Sequence, residues 1–216
     1  MKIAVIGSTG FVGSSLIKEL ELRNFETLAI SRQEIEKTSE LIKYVNIDVN
    51  NIDKLVSELK GYDVLISAFS AGWNNQNYHE DYMKGSVSIL TAASLAGISR
   101  FIVVGGSGSL YVKENVQAVD TDMLPLEFKT VAKAARAFYL EHLKQEESLE
   151  WLYVSPPFEM HPGIIQGRTG NYRTGILNPI FDESGKSSIS VEDLSVAIID
   201  EIENKKFTKT IYTVAY

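Results

Sequence analysis

The stretch that decides the fold is Ile3-Ala4-Val5-Ile6-Gly7-Ser8-Thr9-Gly10-Phe11-Val12-Gly13. Four consecutive apolar residues suit a short strand buried on both faces, as in a parallel sheet. Three glycines follow at a spacing of three. From Ser14 to Leu22 the apolar residues Leu16, Ile17 and Leu20 recur at helical spacing. Strand, glycine turn and helix, in that order, set up a helix start whose free N–H groups can face an anion. Gly7 lets the chain turn sharply off the strand, Gly10 lets a pyrophosphate approach the backbone, and Gly13 lets the helix pack closely on the sheet. Gly7, Ser8, Thr9, Gly10, Phe11, Val12 and Gly13 are therefore the expected dinucleotide-binding loop.

A chain of 216 residues fits one domain, long enough for a sheet covered on both faces. Its 28 acids against 21 bases leave a net charge of −7, which argues against a nucleic-acid partner, because neutralising phosphates needs a basic face. Cysteine is absent, which excludes disulfides, zinc thiolate sites and thiol nucleophiles. The apolar start is interrupted at Gly7 and followed by Glu19 and Glu21, unlike a signal peptide, and no apolar run is long enough to span a bilayer. A cytoplasmic protein with no membrane partner is expected. His79, His142 and His161 are far apart and show no ligand spacing, so no metal site is expected. Nothing in the sequence indicates an oligomeric state.

Glu26 to Ile30 reads as a second strand, and Ser31-Arg32 follows at once. At this place in a dinucleotide fold an acid would bind the 2′-hydroxyl of NAD. Here a hydroxyl and a guanidinium stand instead, with Glu34 two residues late. A planar cation with several donors suits a 2′-phosphate, which favours NADP (NADPH) over NAD. Lys43 to Ile47 reads as a third strand, and Asp48-Val49 at its end can meet an adenine edge. Ile52, Leu55, Val56 and Leu59 form a helical stripe ended by Gly61. Asp63 to Ser67 is a fourth strand that runs into Ala68, Phe69 and Ser70, leaving room for a flat ligand. Trp73 to Tyr82, rich in Asn, is either a polar surface loop or one wall of a pocket. A helix through Val87, Leu90, Ala93 and Leu95 ends at Gly97. Arg100 to Val104 is a fifth strand, a helix spans about 128–144, and Trp151 to Val154 is a sixth strand, stopped by Ser155-Pro156-Pro157. Ser190-Val191-Glu192-Asp193 reads as a capping box, and Thr210 to Val214 as a last strand. Alternating strands and helices predict an α/β, doubly wound parallel sheet. Residues 158–188 break the pattern and read as a lid.

Together, the glycine loop, Gly105-Gly106-Ser107-Gly108-Ser109-Leu110, Ser155-Pro156, Pro162-Gly163, Arg168-Thr169-Gly170-x-Tyr172 and Ile189-Ser190-x-Glu192-Asp193-Leu194 resemble the atypical branch of the short-chain dehydrogenase/reductase superfamily. More narrowly, the chain looks like bacterial proteins named as NADH-flavin reductases, which are similar to biliverdin-IXβ reductase/flavin reductase. The resemblance implies one NAD(P)-binding Rossmann domain over 1–216 and a flavin-like acceptor (FMN or FAD as substrate). Ser107 falls where the superfamily's catalytic Ser lies. It either hydrogen-bonds the nicotinamide amide or the acceptor, or satisfies its own loop.

The superfamily's Tyr-x-x-x-Lys dyad is missing: none of the ten tyrosines has Lys four residues later, and Lys129 and Lys133 have the spacing without the tyrosine. Flavin reduction needs no such acid, because the cofactor carries the difficult chemistry. Ser107 and Pro156 are expected to border the nicotinamide. Trp73, Phe158 and Tyr172 are candidate stacking surfaces for a planar acceptor, with Arg173 beside them. The missing dyad also motivates a second reading, an NADP-sensing regulator without turnover, similar to nitrogen-metabolite repressors. Sugar-nucleotide epimerisation ranks lower, because it relies on the absent tyrosine.

Overall fold

The computed structural model describes residues 1–35 and 39–216. The elements follow as β1 (Lys2–Ile6), α1 (Phe11–Leu22), β2 (Glu26–Ser31), β3 (Ile42–Asn46), α2 (Ile52–Leu59), β4 (Val64–Ser67), α3 (Tyr78–Ala96) and β5 (Arg100–Val104). Then come a hairpin of β6 (Tyr111–Lys113) and β7 (Val116–Gln117), α4 (Leu126–Glu141), β8 (Glu150–Ser155), β9 (Arg173–Ile176), α5 (Val191–Asn204) and β10 (Ile211–Ala215). The main sheet has eight strands in the order β3-β2-β1-β4-β5-β8-β10-β9. All neighbours are parallel except β9, which runs antiparallel on β10 at one edge. The strand order reverses between β1 and β4, and in such sheets the crevice at the carboxyl ends of the reversing strands is where ligands bind.

The period of two in β1 shows how the two faces are built. Ile3 and Val5 point into a core formed with Leu16, Ile17 and Leu20 of α1 and Leu194, Ile198 and Ile202 of α5. Ala4 and Ile6 point the other way, toward Leu55 of α2, Ile89 of α3 and Phe138 of α4. Every residue of β1 after Lys2 is buried, which explains why the run is apolar throughout rather than alternating. Gly97 closes α3 in the left-handed conformation at φ 76°. Among the described residues no helix is long and apolar enough to cross a membrane.

Two expected features take a different form. Ser190 accepts from Asp193 N–H at 3.1 Å, half of a capping box. The reciprocal bond is absent, because Ser190 N–H donates to the Tyr216 hydroxyl instead. Asp193, wholly buried, is left to accept from Thr169 N–H (2.8 Å), Gly170 N–H (2.8 Å), the Thr169 hydroxyl (2.6 Å) and the Tyr216 hydroxyl (2.9 Å). Arg168 meanwhile reaches Glu19 of α1 at 2.7 and 2.9 Å. The stretch read as a lid is thus divided: 167–172 is strapped across α1 and α5, and 173–176 is the edge strand.

At the opposite end of the sheet, Arg100 is buried with Glu201, its Nη2 donating at 2.8 Å to the carboxylate and at 3.0 Å to the Phe207 carbonyl. Removing one member of such a pair leaves a buried unpaired charge, which costs about 3–5 kcal/mol. Arg100→Met should lower unfolding free energy by that order in urea denaturation. The double variant Arg100→Met with Glu201→Met should lose less than the sum of the single changes, because neither charge remains.

Candidate functional site

The glycine loop is built from close backbone approaches. Gly7 sits at φ +81°, and a Cβ there would lie 2.4 Å from the Ala68 carbonyl oxygen, so the exits of β1 and β4 press together. A Cβ on Gly13 would lie 2.0 Å from the Gly7 carbonyl oxygen. Gly13 therefore seats the helix on the loop itself rather than on the sheet. Gly10 is different: its nearest neighbour would be the Gly7 oxygen at 3.3 Å, and it is exposed as the N-cap of α1. No side chain caps this helix, and among the described residues the N–H groups of Phe11, Val12 and Gly13 have no acceptor. A helix start left open in this way carries about half a positive charge and free donors. Ser8 turns away from the opening, its hydroxyl donating to the buried Ile30 carbonyl at 3.1 Å, whereas Thr9 and Phe11 are exposed at its mouth.

Along the same sheet edge lie the ends of β2, β3 and β4. The Ser31 hydroxyl is committed to the Gln33 carbonyl at 2.6 Å. Arg32 is exposed, its own carbonyl held by Asn46 Nδ2 at 2.8 Å, and among the described residues its guanidinium has no ion pair. Asp48 accepts from Asn50 N–H and Nδ2, both at 2.9 Å; the backbone donor, helped by the Arg32 charge, holds its carboxyl below the usual range. Val49 is buried beside Phe69. Phe69 itself stacks on Tyr82 at 5.9 Å, in space that only a glycine at position 85 leaves open, since a Cβ there would be 2.5 Å from the ring. Ala68 is half-buried against Gly7, and Ser70 Oγ accepts from Gly72 N–H. These sequence-predicted residues thus lie together at the carboxyl ends of β1 to β4.

The second half of the site surrounds Ser107, which opens a short 3-10 turn after β5. Its half-buried hydroxyl has no partner among the described residues. The glycines around it serve packing: a Cβ at Gly105 would strike the Tyr153 ring at 2.0 Å, and one at Gly108 would meet Ala132 of α4 at 2.8 Å. Ala132 belongs to a small cluster with Ala118, Val119 and Leu124, on which Phe158 packs. Phe158 stacks in turn on Phe181 at 6.0 Å. One turn before Ala132, Phe128 meets Trp73 edge to face at 5.9 Å, and Trp73 is 67% exposed. Pro156 is buried directly after β8. Two aromatic pairs therefore flank the turn that carries Ser107. The sequence reading missed Phe128 and Phe181; the only signals were an aromatic residue between Glu127 and Lys129 and one directly before Asp182-Glu183.

Tyr172 and Arg173 do not join this group. The Tyr172 hydroxyl donates to Asp200, two turns along α5 from Asp193, and burial pushes its pKa up. Its ring packs among the residues of the α1/α5 face, so it is a strut of the strap rather than a stacking surface. Arg173 donates to the carbonyls of Phe181 (3.0 Å) and Tyr216, which fastens the end of the chain to the edge strand. Both lie where long-range contacts, invisible in local sequence, place them.

The tyrosine hydrogen-bonded to the serine turn is Tyr153, with its hydroxyl 3.2 Å from Ser109 Oγ. It is wholly buried, which pushes its pKa up to about 12, so it offers no accessible acid. Lys129 lies 3.8 Å from Asp122, and Lys133 is exposed. Among the described residues no group of three His, Cys, Asp or Glu is placed to hold a metal ion.

The model of a family described as NAD(P)H-binding matches residues 7–205. The chain belongs to that NAD(P)H-binding family. It is similar to a crystal structure from Bacteroides thetaiotaomicron named as a candidate epimerase, at 37% identity and TM-score 0.90, covering 100% of this chain and 96% of that one. It is also similar to a Streptococcus pneumoniae protein named as a candidate NADH-flavin reductase, at 32% identity and TM-score 0.86, covering 100% and 99%. The Bacillus subtilis protein YwnB is 31% identical over 99% of this chain and 98% of its own length. The NAD(P)H-binding members thus carry different activity names on nearly the same fold, and the activity must be argued from the site.

The geometry separates the glycines of this loop. Gly13→Ala forces carbon against backbone that cannot yield and should cost several kcal/mol, well beyond the ~1–3 kcal/mol typical of overpacking. Gly10→Ala meets one atom at 3.3 Å and should change stability by only about 1 kcal/mol while lowering the thermal shift produced by NADPH. Melting curves of both variants, with and without the dinucleotide, check this.

Proposed function

We propose that the chain is an NADPH-dependent oxidoreductase that reduces a flat, flavin-like acceptor. The observation that carries the reading is the arrangement at α4. Ala132 ties the Ser107 turn and Phe158 together, Phe128 and Trp73 stand one turn away, and Tyr153, the tyrosine hydrogen-bonded to that turn, is wholly buried. Such a site can hold two stacked rings and exclude water, which suits hydride transfer between rings more than protonation of a carbonyl.

In this reading the N–H groups of Phe11, Val12 and Gly13 hold the pyrophosphate, and Arg32 pairs with the 2′-phosphate. Asp48 meets the adenine edge, and Ala68, Phe69 and Ser70 border the ribose. When bound, the dinucleotide supplies a hydride from nicotinamide C4. Ser107 donates a hydrogen bond to the nicotinamide amide or to the acceptor, and Pro156 limits the ring from the β8 side. Trp73, Phe128, Phe158 and Phe181 sandwich the acceptor, and residues 158–166 cover it. The epimerase name of the Bacteroides relative is not favoured in this reading, because Tyr153, the phenol hydrogen-bonded to Ser107's turn, is buried beneath it. A spectrophotometric assay with NADPH and several flavins and quinones tests the reading. Absence of turnover together with tight dinucleotide binding would replace it with the sensor.

Arg32 decides the cofactor. A charge-assisted hydrogen bond is worth about 1.5–3 kcal/mol, so Arg32→Ala should weaken NADPH about ten- to a hundred-fold and leave NADH nearly unchanged. Dissociation constants for both dinucleotides, measured by calorimetry, give the answer. Equal weakening of both would mean that Arg32 shapes its loop rather than reading a phosphate.

A further inference from the structure

We infer that the acceptor is uncharged, a riboflavin-like or quinone-like ring rather than a phosphorylated flavin. This rests on the proposed reduction of a flat acceptor and concerns the charge around the same four rings. Acids adjoin the rings in sequence: Glu127 precedes Phe128, Glu159 follows Phe158, and Asp182 and Glu183 follow Phe181, all exposed. Asp122, fully exposed, lies 3.8 Å from Lys129 of α4.

Four of the cations nearby are already engaged, and Lys133 of α4 is exposed. Lys129 faces Asp122, Arg136 pairs with Asp120, and Arg173 donates to the Phe181 and Tyr216 carbonyls. Lys186 lies beside Asp182, whose carboxylate also accepts the Lys186 N–H at 2.9 Å. The start of α4 is uncapped, which by itself would welcome a phosphate, but Glu127 occupies its first turn and opposes one. Charge is therefore divided along the crevice. The adenosine end has Arg32 and the open start of α1, and the acceptor end has a surplus of carboxylates. A bound dinucleotide adds further negative charge. An acceptor carrying a phosphate dianion meets repulsion within about one Debye length, whereas an uncharged ring meets only the aromatic faces.

The test compares riboflavin with FMN, which share one ring system and differ by the phosphate. With NADPH saturating and ionic strength low, kcat/KM should favour riboflavin by roughly three- to tenfold, as expected for a few screened charges. Raising the salt should speed FMN reduction and leave riboflavin unchanged. Glu127→Gln combined with Asp122→Asn should raise the FMN value alone. FMN equal to or better than riboflavin at low salt, with a rate that falls as salt rises, overturns the inference. If neither flavin is reduced, the reductase reading fails separately. Flavin-fluorescence quenching then decides the charge question: tighter riboflavin binding upholds the inference, and tighter FMN binding, equal binding or no binding overturns it.

Discussion

The approach of Gly13 to the Gly7 carbonyl is the constraint on which the rest depends. A Cβ on Gly13 would lie 2.0 Å from that oxygen, and one on Gly7 would lie 2.4 Å from the Ala68 carbonyl oxygen, so the helix crossing and the approach of β1 to β4 each need a residue without one. It places the first turn of α1 at the reversal of strand order between β1 and β4, with its N–H groups facing outward. Ser8 reinforces it from inside by joining the loop to the end of β2. Two of the three glycines are thus explained by packing alone. Gly10 is the most open of the three, meeting only the Gly7 oxygen at 3.3 Å, while Gly13 packs the helix on the loop rather than on the sheet as expected.

The same helix is tied at its far end. Glu19 receives both Arg23 and Arg168, and the Arg168 bond is the largest influence holding its carboxyl below the ordinary range. Arg23 also reaches Asp200 and Glu203 of α5. Ser15 and Ser195 join the two helices nearer the loop at 2.9 Å. The strap therefore rests on α1 and α5 together. Its exit into β9 fixes where the chain carrying Phe181 returns to meet Phe158. At that exit Leu177 is held at φ 64°, its N–H on the Ile211 carbonyl and its carbonyl on the Tyr111 N–H. A left-handed leucine is strained, and bonds on both sides hold it there.

Local pattern made much of the fold legible. The apolar runs gave the seven parallel strands within a residue or two, and Gly97 and Ser190 marked real helix boundaries, because strand burial and helix caps are set by neighbours in sequence. The edge strand β9 was not legible, since Arg173 to Ile176 is short, exposed and polar, and its pairing with β10 spans about forty residues. For the same reason Tyr172 and Arg173 were expected at the site: nothing near them in sequence reveals Asp200 or Tyr216. Asp193 illustrates a subtler failure. The capping-box pattern identified the helix start correctly, but the side chain's role was decided by Thr169 and Tyr216, more than twenty residues away on either side. The missing tyrosine-lysine dyad, by contrast, was visible at once, and the burial of Tyr153 agrees with it.

The central claim is that the uncapped start of α1 is where the dinucleotide's phosphates sit. The direct measurement is an amide NMR titration of the isotope-labelled protein with NADPH. The account predicts the largest downfield shifts at the Phe11, Val12 and Gly13 N–H groups, with smaller movements at the ends of β2 and β4. Saturable binding that leaves those three amides in place while others move would contradict it.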